Sequence, residues 1–485
     1  MKTFFLFILL IFNSLLVFSQ FFGGTKHDQI TAQTVVDEST IYLTGFTKNF
    51  TKKGSDDVFV MRINLSKSTI DYKTFGDEYN DRAYDINVID NNIFISGESH
   101  KGFGQNYGRE NAFLLKIDNK LKIKQQFSPY FYHRDAILKT KELFDGNLIS
   151  VGYSRSFNTG NNSIGDIFVL KSTKDFDTLW HKAYNSAGND YCFDFIEKDD
   201  DNLVLLGTSG GFFNLNQADY RYSHDADIIF IETDDTGNEL NRVYWGETGH
   251  DFAKQIIESP EKDGFYIVGS TQSYGNGNFD ILLLKVDYNF NEIWHKTFGG
   301  SSTDYGKSIA FSEYDNSLYI LGTKSNEITN LPELALISTN LDGELIDDKN
   351  FNLGKYTLGV GLDILPDGYC IISGNTGKSF DNFDFFSFKF SFADNEAVFL
   401  LSDLILNCYP NPVSKGQDIT FEIRNDKKYS NLYFQIYSIS GNTILRQEFN
   451  NSKISVNTSS FSKGLYIYSV IMYNRAAYVG KFIVD

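Results

Sequence analysis

The stretch FYIVGSTQSYGNGNFDILLLKVDYNFNEIWHKTFGG, residues 265–300, contains three short apolar segments separated by polar turns. The segments FYIVG, DILLLKV and EIWHKTF have the length and the β-branched and aromatic content of strands. Gly, Asn and Asp fill the intervals between them, as is typical of turns. A fourth segment, DFAKQII, precedes them from Asp251. The stretch therefore predicts a unit of four antiparallel strands in about 50 residues, the size of a propeller blade.

This unit occurs seven times. A glycine closes the second segment of each copy, at Gly45, Gly97, Gly152, Gly207, Gly269, Gly322 and Gly374. An acidic or amide residue opens the third segment, at Asp57, Asn111, Asp166, Asp227, Asp280, Glu333 and Asp384. A further column opens the first segment, at Asp28, Asp81, Asp135, Asp190, Asp251, Asp304 and Thr357. Because three columns stay in step through all seven copies, the repeat reflects one structural unit.

Seven such units predict an all-β fold with a seven-bladed β-propeller over residues 20–402. A closed ring leaves no long strand edge unpaired. The alternative is an open β-solenoid, which predicts shorter coils of parallel strands without tight turns. The sequence WHKTFGGSSTD, Trp294 to Asp304, resembles the repeat of secreted β-propeller proteins of Bacteroidetes. That resemblance covers residues 21 to about 400 and implies a fold rather than a reaction.

The N-terminus has the pattern of a secretory signal peptide over residues 1–19. Lys2 supplies the positive charge, and an apolar run follows from Phe4 to Phe18. This run is shorter than the roughly 20 residues of a membrane-spanning helix, which is the alternative interpretation. We expect cleavage between Ser19 and Gln20, and hence an exported protein of a Gram-negative bacterium.

Charge and cysteine content limit the partners and the means of stabilisation. The net charge of −18 argues against nucleic acid as a partner. Residues 403–485 carry nine basic and six acidic residues, a net of +3, so residues 1–402 carry −21. This break predicts a domain boundary near residue 403. Three cysteines are too few for a disulfide framework, so the core must stabilise the fold.

Residues 403–485 depart from the repeat. Apolar and polar residues alternate along their short segments, as in the strands of a small immunoglobulin-like β-sandwich. The segments YPNPV, IYSISG, SFSKGLYIYSV and YVGKFIV resemble the type A C-terminal sorting domain of the type IX secretion system. The resemblance falls on Tyr409, Pro410, Asn411, Pro412, Gly441, Gly464, Tyr466, Gly480 and Lys481. It implies passage through the periplasm and outer membrane by the type IX secretion machinery, to the outer cell surface or beyond. The alternative is an ordinary fibronectin-like sandwich.

No set of residues typical of catalysis or metal binding stands outside the repeat columns. The repeated aspartates occupy corners that need a hydrogen-bond acceptor in every copy, and Cys192 and Cys370 fall in apolar or small columns. The histidines lack metal-ligand spacing, and no nucleophile elbow or phosphate loop occurs. We therefore expect no catalytic residue, no metal, no cofactor and no enzyme activity.

The connections between second and third segments are long, and the fourth, residues 208–226, is the longest. Recognition commonly resides in such loops on a rigid scaffold, although the insertion can also be idle. The fourth connection contains aromatic and basic residues suited to binding: Phe212, Phe213, Tyr220, Arg221, Tyr222 and His224. We expect a monomeric, non-enzymatic binding or adhesion module with a glycan or protein ligand. The alternative is a secreted hydrolase or lyase acting on polysaccharide or glycan.

Overall fold

A computed structural model describes most of the chain after the N-terminal segment. The described residues are 26–49, 55–64, 69–100, 111–129, 133–157, 165–186, 188–210, 226–379, 382–393, 396–399, 406–423, 432–438, 443–448, 453–472 and 475–485. Compactness divides the chain into a unit of residues 21–395 and a unit that contains residues 396–485. Within the described residues all regular structure is β-strand, and none of it is a helix that could span a membrane.

The first three sheets follow one another along the chain, each with its strands in sequence order. Their strands are β1 (Asp28–Asp37), β2 (Thr40–Thr47), β3 (Asp57–Asn64) and β4 (Thr69–Phe75); β5 (Asp81–Ile89), β6 (Asn92–Ser99), β7 (Asn111–Ile117) and β8 (Ile123–Phe127); β9 (Asp135–Glu142), β10 (Leu148–Ser154), β11 (Asp166–Ser172) and β12 (Thr178–Tyr184).

The next four sheets repeat this order. Their strands are β13 (Tyr191–Glu197), β14 (Leu203–Ser209), β15 (Asp227–Thr233) and β16 (Glu239–Trp245); β17 (Asp251–Glu258), β18 (Phe265–Thr271), β19 (Asp280–Val286) and β20 (Glu292–Phe298); β21 (Tyr305–Ser312), β22 (Ser317–Ser325), β23 (Pro332–Thr339) and β24 (Leu345–Phe351); β25 (Tyr356–Ile364), β26 (Cys370–Ser379), β27 (Asn382–Ser391) and β28 (Glu396–Phe399). The predicted all-β chain of four-stranded antiparallel units is confirmed.

The core lies between neighbouring sheets. Second and third strands such as β14 and β19 are apolar along almost their whole length because both of their faces are covered. The fourth and fifth sheets, for example, bury Phe230 and Leu206 against Phe265 and Leu282. Fourth strands such as β16 are largely exposed. Packing of this kind gives a propeller-like stack in which each sheet depends on its neighbours.

The first strands contact one another in chain order, β1 with β5, β5 with β9, and so on to β25, which also contacts β1. Polar contacts join the first and seventh sheets. The Asn375 side chain accepts a 2.9 Å hydrogen bond from the Ile30 amide and donates another of 2.9 Å to the Ile30 carbonyl. The Gln33 amide donates to Asp363 Oδ2 at 2.7 Å. The first strands thus have a cyclic order of contacts.

The C-terminal unit contains two further antiparallel sheets. Their strands are β29 (Leu406–Tyr409), β30 (Asp418–Ile423), β31 (Leu432–Ser438), β32 (Thr443–Glu448), β33 (Lys453–Asn457), β34 (Gly464–Met472) and β35 (Arg475–Val484). The sheet orders are β29-β30-β33 and β32-β31-β34-β35. One apolar cluster includes Phe421 from the first sheet and Phe434 and Phe482 from the second. The two sheets therefore share a core.

Candidate functional site: a ring of bulged side chains

Each first strand contains a β-bulge at the same position, three residues after the corner residue that opens its repeat. In the fifth sheet, Gly269 of β18 pairs with Ala253 and Val268 pairs with Gln255, so Lys254 is the extra residue of the bulge. The equivalent bulged residues are Thr31, Tyr84, Leu138, Phe193, Lys254, Lys307 and Val360, here called the bulge ring. A bulge re-aims a side chain out of the ladder, and bulges are frequent beside functional sites.

The glycine column of the sequence has its physical cause in this bulge. A Cβ added to Gly269 would overlap the Phe252 carbonyl oxygen on β17, because the bulged strand approaches β18 closely there. The other six glycines face the carbonyl at the equivalent place. Glycine inside a strand often marks a bulge or a close backbone approach. The glycine column in the sequence was therefore the sign of a bulge in every first strand, although the bulged residues themselves were not predicted.

The bulge ring lies toward one end of the sheets. Strand registers place the start of each first strand beside the end of the second and the start of the third, as Asp81, Ser99 and Asn111 do. The long connections between second and third strands leave from this end, which we call the loop end. In the fourth sheet, Tyr191 pairs with Thr208, the last residue but one of β14. The bulged Phe193 is therefore in the same half of its sheet as the start of the fourth connection.

Two adjacent members of the bulge ring are lysines. Lys254 is half-buried and Lys307 is solvent-accessible, yet the protein surrounds both side chains. Burial lowers the pKa of Lys254 well below its ordinary value, and the neighbouring positive charge of Lys307 lowers it further. Burial also lowers the pKa of Lys307. The Lys254 ammonium lies 4.0 Å from the centre of the Phe193 ring, a cation–π contact.

Aromatic side chains flank the lysines on the preceding sheets. Tyr191 is 6.1 Å from Phe193 between ring centres, and Tyr153 is 4.9 Å from Tyr191. Leu138 and Tyr84 pack in the same cluster. The ring thus has two lysines on the fifth and sixth sheets and, on the second to fourth, apolar or aromatic members that pack with Tyr153 and Tyr191.

A buried carboxylate, Glu98, is the main charged group that sequence reasoning missed. It directly follows the repeat glycine of β6, a position that holds Thr208, Ser270, Thr323 and Asn375 in the fourth to seventh sheets. The Tyr84 hydroxyl donates to Glu98 Oε1 at 2.7 Å, and Arg134 pairs with Oε2 at 3.2 Å. Arg82 lies 3.7 Å away and bridges to the buried Asp56. The departure of Glu98 from its column was the available signal.

A second charged layer joins neighbouring first strands beyond the bulges. Lys139 pairs with Asp85 at 2.8 Å, and Lys141 pairs with Asp194 at 2.6 Å. Asp85 also accepts the Thr140 amide at 2.9 Å, so it links β5 and β9 directly. Burial alone would lower the pKa of Lys139, but the negative charge of Asp85 raises it above its ordinary value. These are structural ion pairs between sheets.

The corner aspartates accept hydrogen bonds from the turns, the role that their repetition predicts. Asp304 accepts the Gly300 amide at 2.8 Å and the Ser325 amide at 2.7 Å, and Asp135 accepts the Ser156 hydroxyl at 2.7 Å. Among the described residues no three His, Cys, Asp or Glu side chains are placed to hold a metal ion. The buried Cys192 has a raised pKa because of burial, which makes it a poor nucleophile.

The loop end also contains a cavity of about 380 Å³ on the sixth sheet. It is lined by Gly300, Asp304, Lys324, Glu327 and Ile328, among others. Residues 326–328, at the start of the connection from β22 to β23, line one side of it, and Ile328 is exposed. A concave surface therefore lies where this connection leaves its sheet.

The predicted binding residues of the fourth connection, Phe212, Phe213, Tyr220, Arg221, Tyr222 and His224, lie outside the described residues. The cleavage-site residues Ser19 and Gln20, and Gly441 of the sorting segments, do so as well. They remain predictions.

The other sorting residues lie on the strands and turns of the C-terminal unit. Tyr409 ends β29, and its hydroxyl donates to Glu422 at 2.8 Å. After it come Pro410, Asn411 and Pro412, where Asn411 Oδ1 accepts the Ile483 amide at 3.0 Å. Gly464 starts β34, where Tyr466 is buried. On β35, Gly480 pairs with Tyr468 and Lys481 pairs with Ile467. The YPNPV turn is thereby tied to the last strand.

Residues 407–485 match the family model described as a secretion system C-terminal sorting domain. This part of the chain is a sorting domain. The type IX sorting domain predicted from the sequence is confirmed, and the chain is a protein exported through the type IX secretion system to the cell surface or extracellular space. No curated protein matches the chain.

Solved structures share its general form at low identity. The chain is 11% identical to PorZ, an essential surface component of the type IX secretion system of Porphyromonas gingivalis, with 96% of this chain and 60% of that one covered and a TM-score of 0.42. It is 10% identical to a periplasmic gluconolactonase of Pseudomonas aeruginosa (74% and 94% covered, TM-score 0.47). It is 11% identical to an acylaminoacyl peptidase of Pyrococcus horikoshii (82% and 58% covered, TM-score 0.45). The chain spans less than two thirds of PorZ and of the peptidase, and likenesses this distant carry no functional argument.

Proposed function

We propose that the four-stranded sheets are the blades of a closed seven-bladed β-propeller. The cyclic contacts of the first strands and the polar contacts from Asn375 and Gln33 support this architecture. We also propose that the sorting domain is an immunoglobulin-like β-sandwich, which is supported by the core that its two sheets share. We expect the exported protein to be a monomer.

We propose that the exported protein is a non-enzymatic binding or adhesion module with its ligand site at the loop end. The observation that carries this proposal is the bulge ring, in which every first strand turns one side chain out of its ladder at one level. The ring contains aromatic, aliphatic, threonine and lysine side chains and has no carboxylate or histidine among its seven members. Histidine and carboxylates are the side chains used most often in acid–base catalysis, so their absence from the ring favours the holding of a ligand.

The fourth connection extends the same proposal toward the surface. Its residues 208–226 begin beside the bulged Phe193, and they contain six aromatic, arginine or histidine side chains. Aromatic and arginine side chains contribute a large share of binding energy at protein surfaces. We infer that a glycan or protein ligand contacts this connection and reaches into the bulge ring.

A secreted hydrolase or lyase is the second candidate, favoured by the contact between Glu98 and Tyr84. A buried carboxylate beside a phenol hydroxyl is a combination found in acid–base catalysis. Two arginines neutralise Glu98, however, so the group is better suited to joining the second and third sheets. Because only the enzyme would need the Glu98 carboxylate for its reaction, the Glu98→Gln variant separates the binding protein from the hydrolase or lyase.

The test is a screen of the purified exported protein on glycan and protein arrays, with mass spectrometry of the bound glycans. We expect the protein to retain a ligand without altering it. A variant in which Phe212, Tyr220 and Arg221 are all replaced by Ala should lose binding but keep its melting temperature. Cleaved glycan that disappears in the Glu98→Gln variant would show an enzyme instead. Absence of any ligand on the arrays would contradict the binding proposal.

A further inference from the structure

Lys254 and Lys307 occupy the same bulge position on neighbouring first strands. β17 and β21 contact each other directly, and the charge of Lys307 acts on Lys254. Both residues are bulged out of the pairing with the second strand, which re-aims their side chains. Two lysines therefore lie on neighbouring first strands at one level.

Nothing in the fold requires lysine at these two positions. The same bulge is made by Thr31, Leu138 and Val360 in other sheets, so the ring closes without a positive charge. Two positive charges placed side by side repel each other, and this repulsion lowers the stability of the fold. Positions that lower stability are typical of functional sites.

The contrast with the neighbouring layer is direct. Lys139 and Lys141 lie on a first strand as well, and each has a carboxylate partner within 2.8 Å, Asp85 and Asp194 respectively. Among the described residues no carboxylate is within ion-pair distance of Lys307, although the protein carries 62 acidic residues and a net charge of −18. The charge of Lys307 is thus not compensated where this fold readily compensates others.

We propose that Lys254 and Lys307 form an anion-binding site that takes a carboxylate, sulfate or phosphate group of the ligand. This inference rests on the proposed binding function and names the chemical class of its ligand, a molecule that bears an oxyanion small enough to enter the first-strand interior. Phe193, in contact with Lys254, forms the apolar side of the site and suits the carbon skeleton next to the acidic group. An acidic saccharide combines these two properties.

The ligand oxyanion would accept charge-assisted hydrogen bonds from both ammonium groups, which are stronger than bonds between neutral groups. It would also supply the negative charge that Lys307 lacks. Binding should therefore stabilise the fold as well as retain the ligand, since a ligand that binds only the native state raises the unfolding free energy.

The experiment compares three forms of the full exported chain by calorimetry and thermal unfolding. The test form carries Lys254→Gln and Lys307→Gln. The matched control carries Lys296→Gln and Lys349→Gln, which remove the same charge from the outer strands β20 and β24 of the same two sheets. The probes are citrate, inorganic sulfate, inorganic phosphate, an acidic oligosaccharide (oligogalacturonate) and a neutral galactose oligomer.

We expect an acidic probe to bind the wild type and the control equally, and to bind the test form about tenfold more weakly for each lysine removed. The acidic probe should raise the melting temperature of the wild type and control only. Without a probe, the test form should melt at the wild-type temperature or above it, whereas loss of purely structural lysines would lower it.

Equal binding of acidic probes to all three forms, or no binding of any of them to the wild type, overturns the anion site. An array ligand that is neutral and indifferent to the two lysines also overturns it, while the proposed binding function stands. If the arrays yield no ligand but the acidic probes still depend on the two lysines, the site stands and the proposed function fails. The two failures are therefore distinguishable.

Discussion

Replacement of Asp81 by Asn should make the protein more stable at neutral and alkaline pH. Asp81 is the corner residue that opens β5, and its side chain is 1% exposed. Its carboxylate and that of the buried Asp57 both lie next to Gly76. Burial is the main cause that raises the pKa of Asp81 from 3.8 to about 7, and the charges of Asp77 and Asp57 add to it. The folded protein therefore holds a proton at Asp81 that the unfolded chain has lost.

The sign and size of the effect follow from this difference. Because the pKa is raised on folding, the contribution of Asp81 to stability is greatest at low pH and is lost as the pH rises through about 7. The whole shift corresponds to about 4 kcal/mol, of which about 3 kcal/mol is lost between about pH 5 and pH 8. The amide of Asn retains an acceptor for the Asp77 amide, which donates to Asp81 at 3.1 Å, but it carries no charge.

Urea unfolding at about pH 5 and about pH 8 measures the effect. We expect the wild type to lose stability over this interval and Asp81→Asn to flatten the loss. The control is Asp234→Asn in an exposed turn, where hydrogen bonds from Asn238 and Thr236 lower the pKa of Asp234 to about 2. Its contribution is present above pH 3.8 and is lost only as the pH falls toward 2, so this variant should be less stable at both pH values with an unchanged slope. An Asp81→Asn variant that is destabilised equally at both pH values would refute the reasoning.

Three further perturbations probe the fold and its delivery. Gly76→Ala should cost about 2–4 kcal/mol of unfolding free energy, because the new methyl would lie 2.6 and 2.8 Å from two buried carboxylate oxygens. The control Gly146→Ala, at a position with φ of 78° and no atom within 4 Å, should cost only about 1 kcal/mol. Equal costs of the two variants in urea unfolding would contradict the close approach at Gly76. Phe290→Ala should cost about 3–5 kcal/mol in the same assay, since this side chain is 2% exposed, and a cost below about 1 kcal/mol would show that its neighbours close the space. Deletion of residues 403–485 should leave folded protein in the periplasm, and normal amounts at the cell surface in a fractionation experiment would contradict the sorting role.

Periodicity predicted the parts of the fold that every copy shares. The corner aspartates Asp81 and Asp251 are the first residues of β5 and β17, and the repeat glycines lie inside second strands. These positions are predictable because backbone geometry demands the same residue type in each copy. The sorting segments were predictable for a similar reason, since YPNPV and the last strand meet through Asn411 and Ile483.

Features in which the copies differ could not be predicted in this way. The turn after β19 holds Phe290 at φ 66°, and its ring stacks on Phe230 of the preceding sheet at 5.1 Å. The turn after β23 has Gly343 instead, and there Trp294 of the preceding sheet covers the glycine. Both solutions fill one gap between sheets, but the sequence of a single copy does not reveal which neighbour supplies the ring.

The bulge ring was missed for a related reason. A bulged residue is freed from the ladder, so its type varies from Thr31 to Lys307 and produces no column. Glu98 was missed because it is acidic at a position that is otherwise hydroxyl, amide or aromatic. Residues that depart from a repeat carry the information on function, and only the three-dimensional register shows which of them lie together.

A crystal structure of the exported protein with the ligand selected on the arrays tests the central claim most directly. We predict intact ligand at the loop end, in contact with the bulge ring and with an acidic group between Lys254 and Lys307. Ligand bound on the outer strands or on the sorting domain, or a cleaved product beside Glu98, would contradict the account.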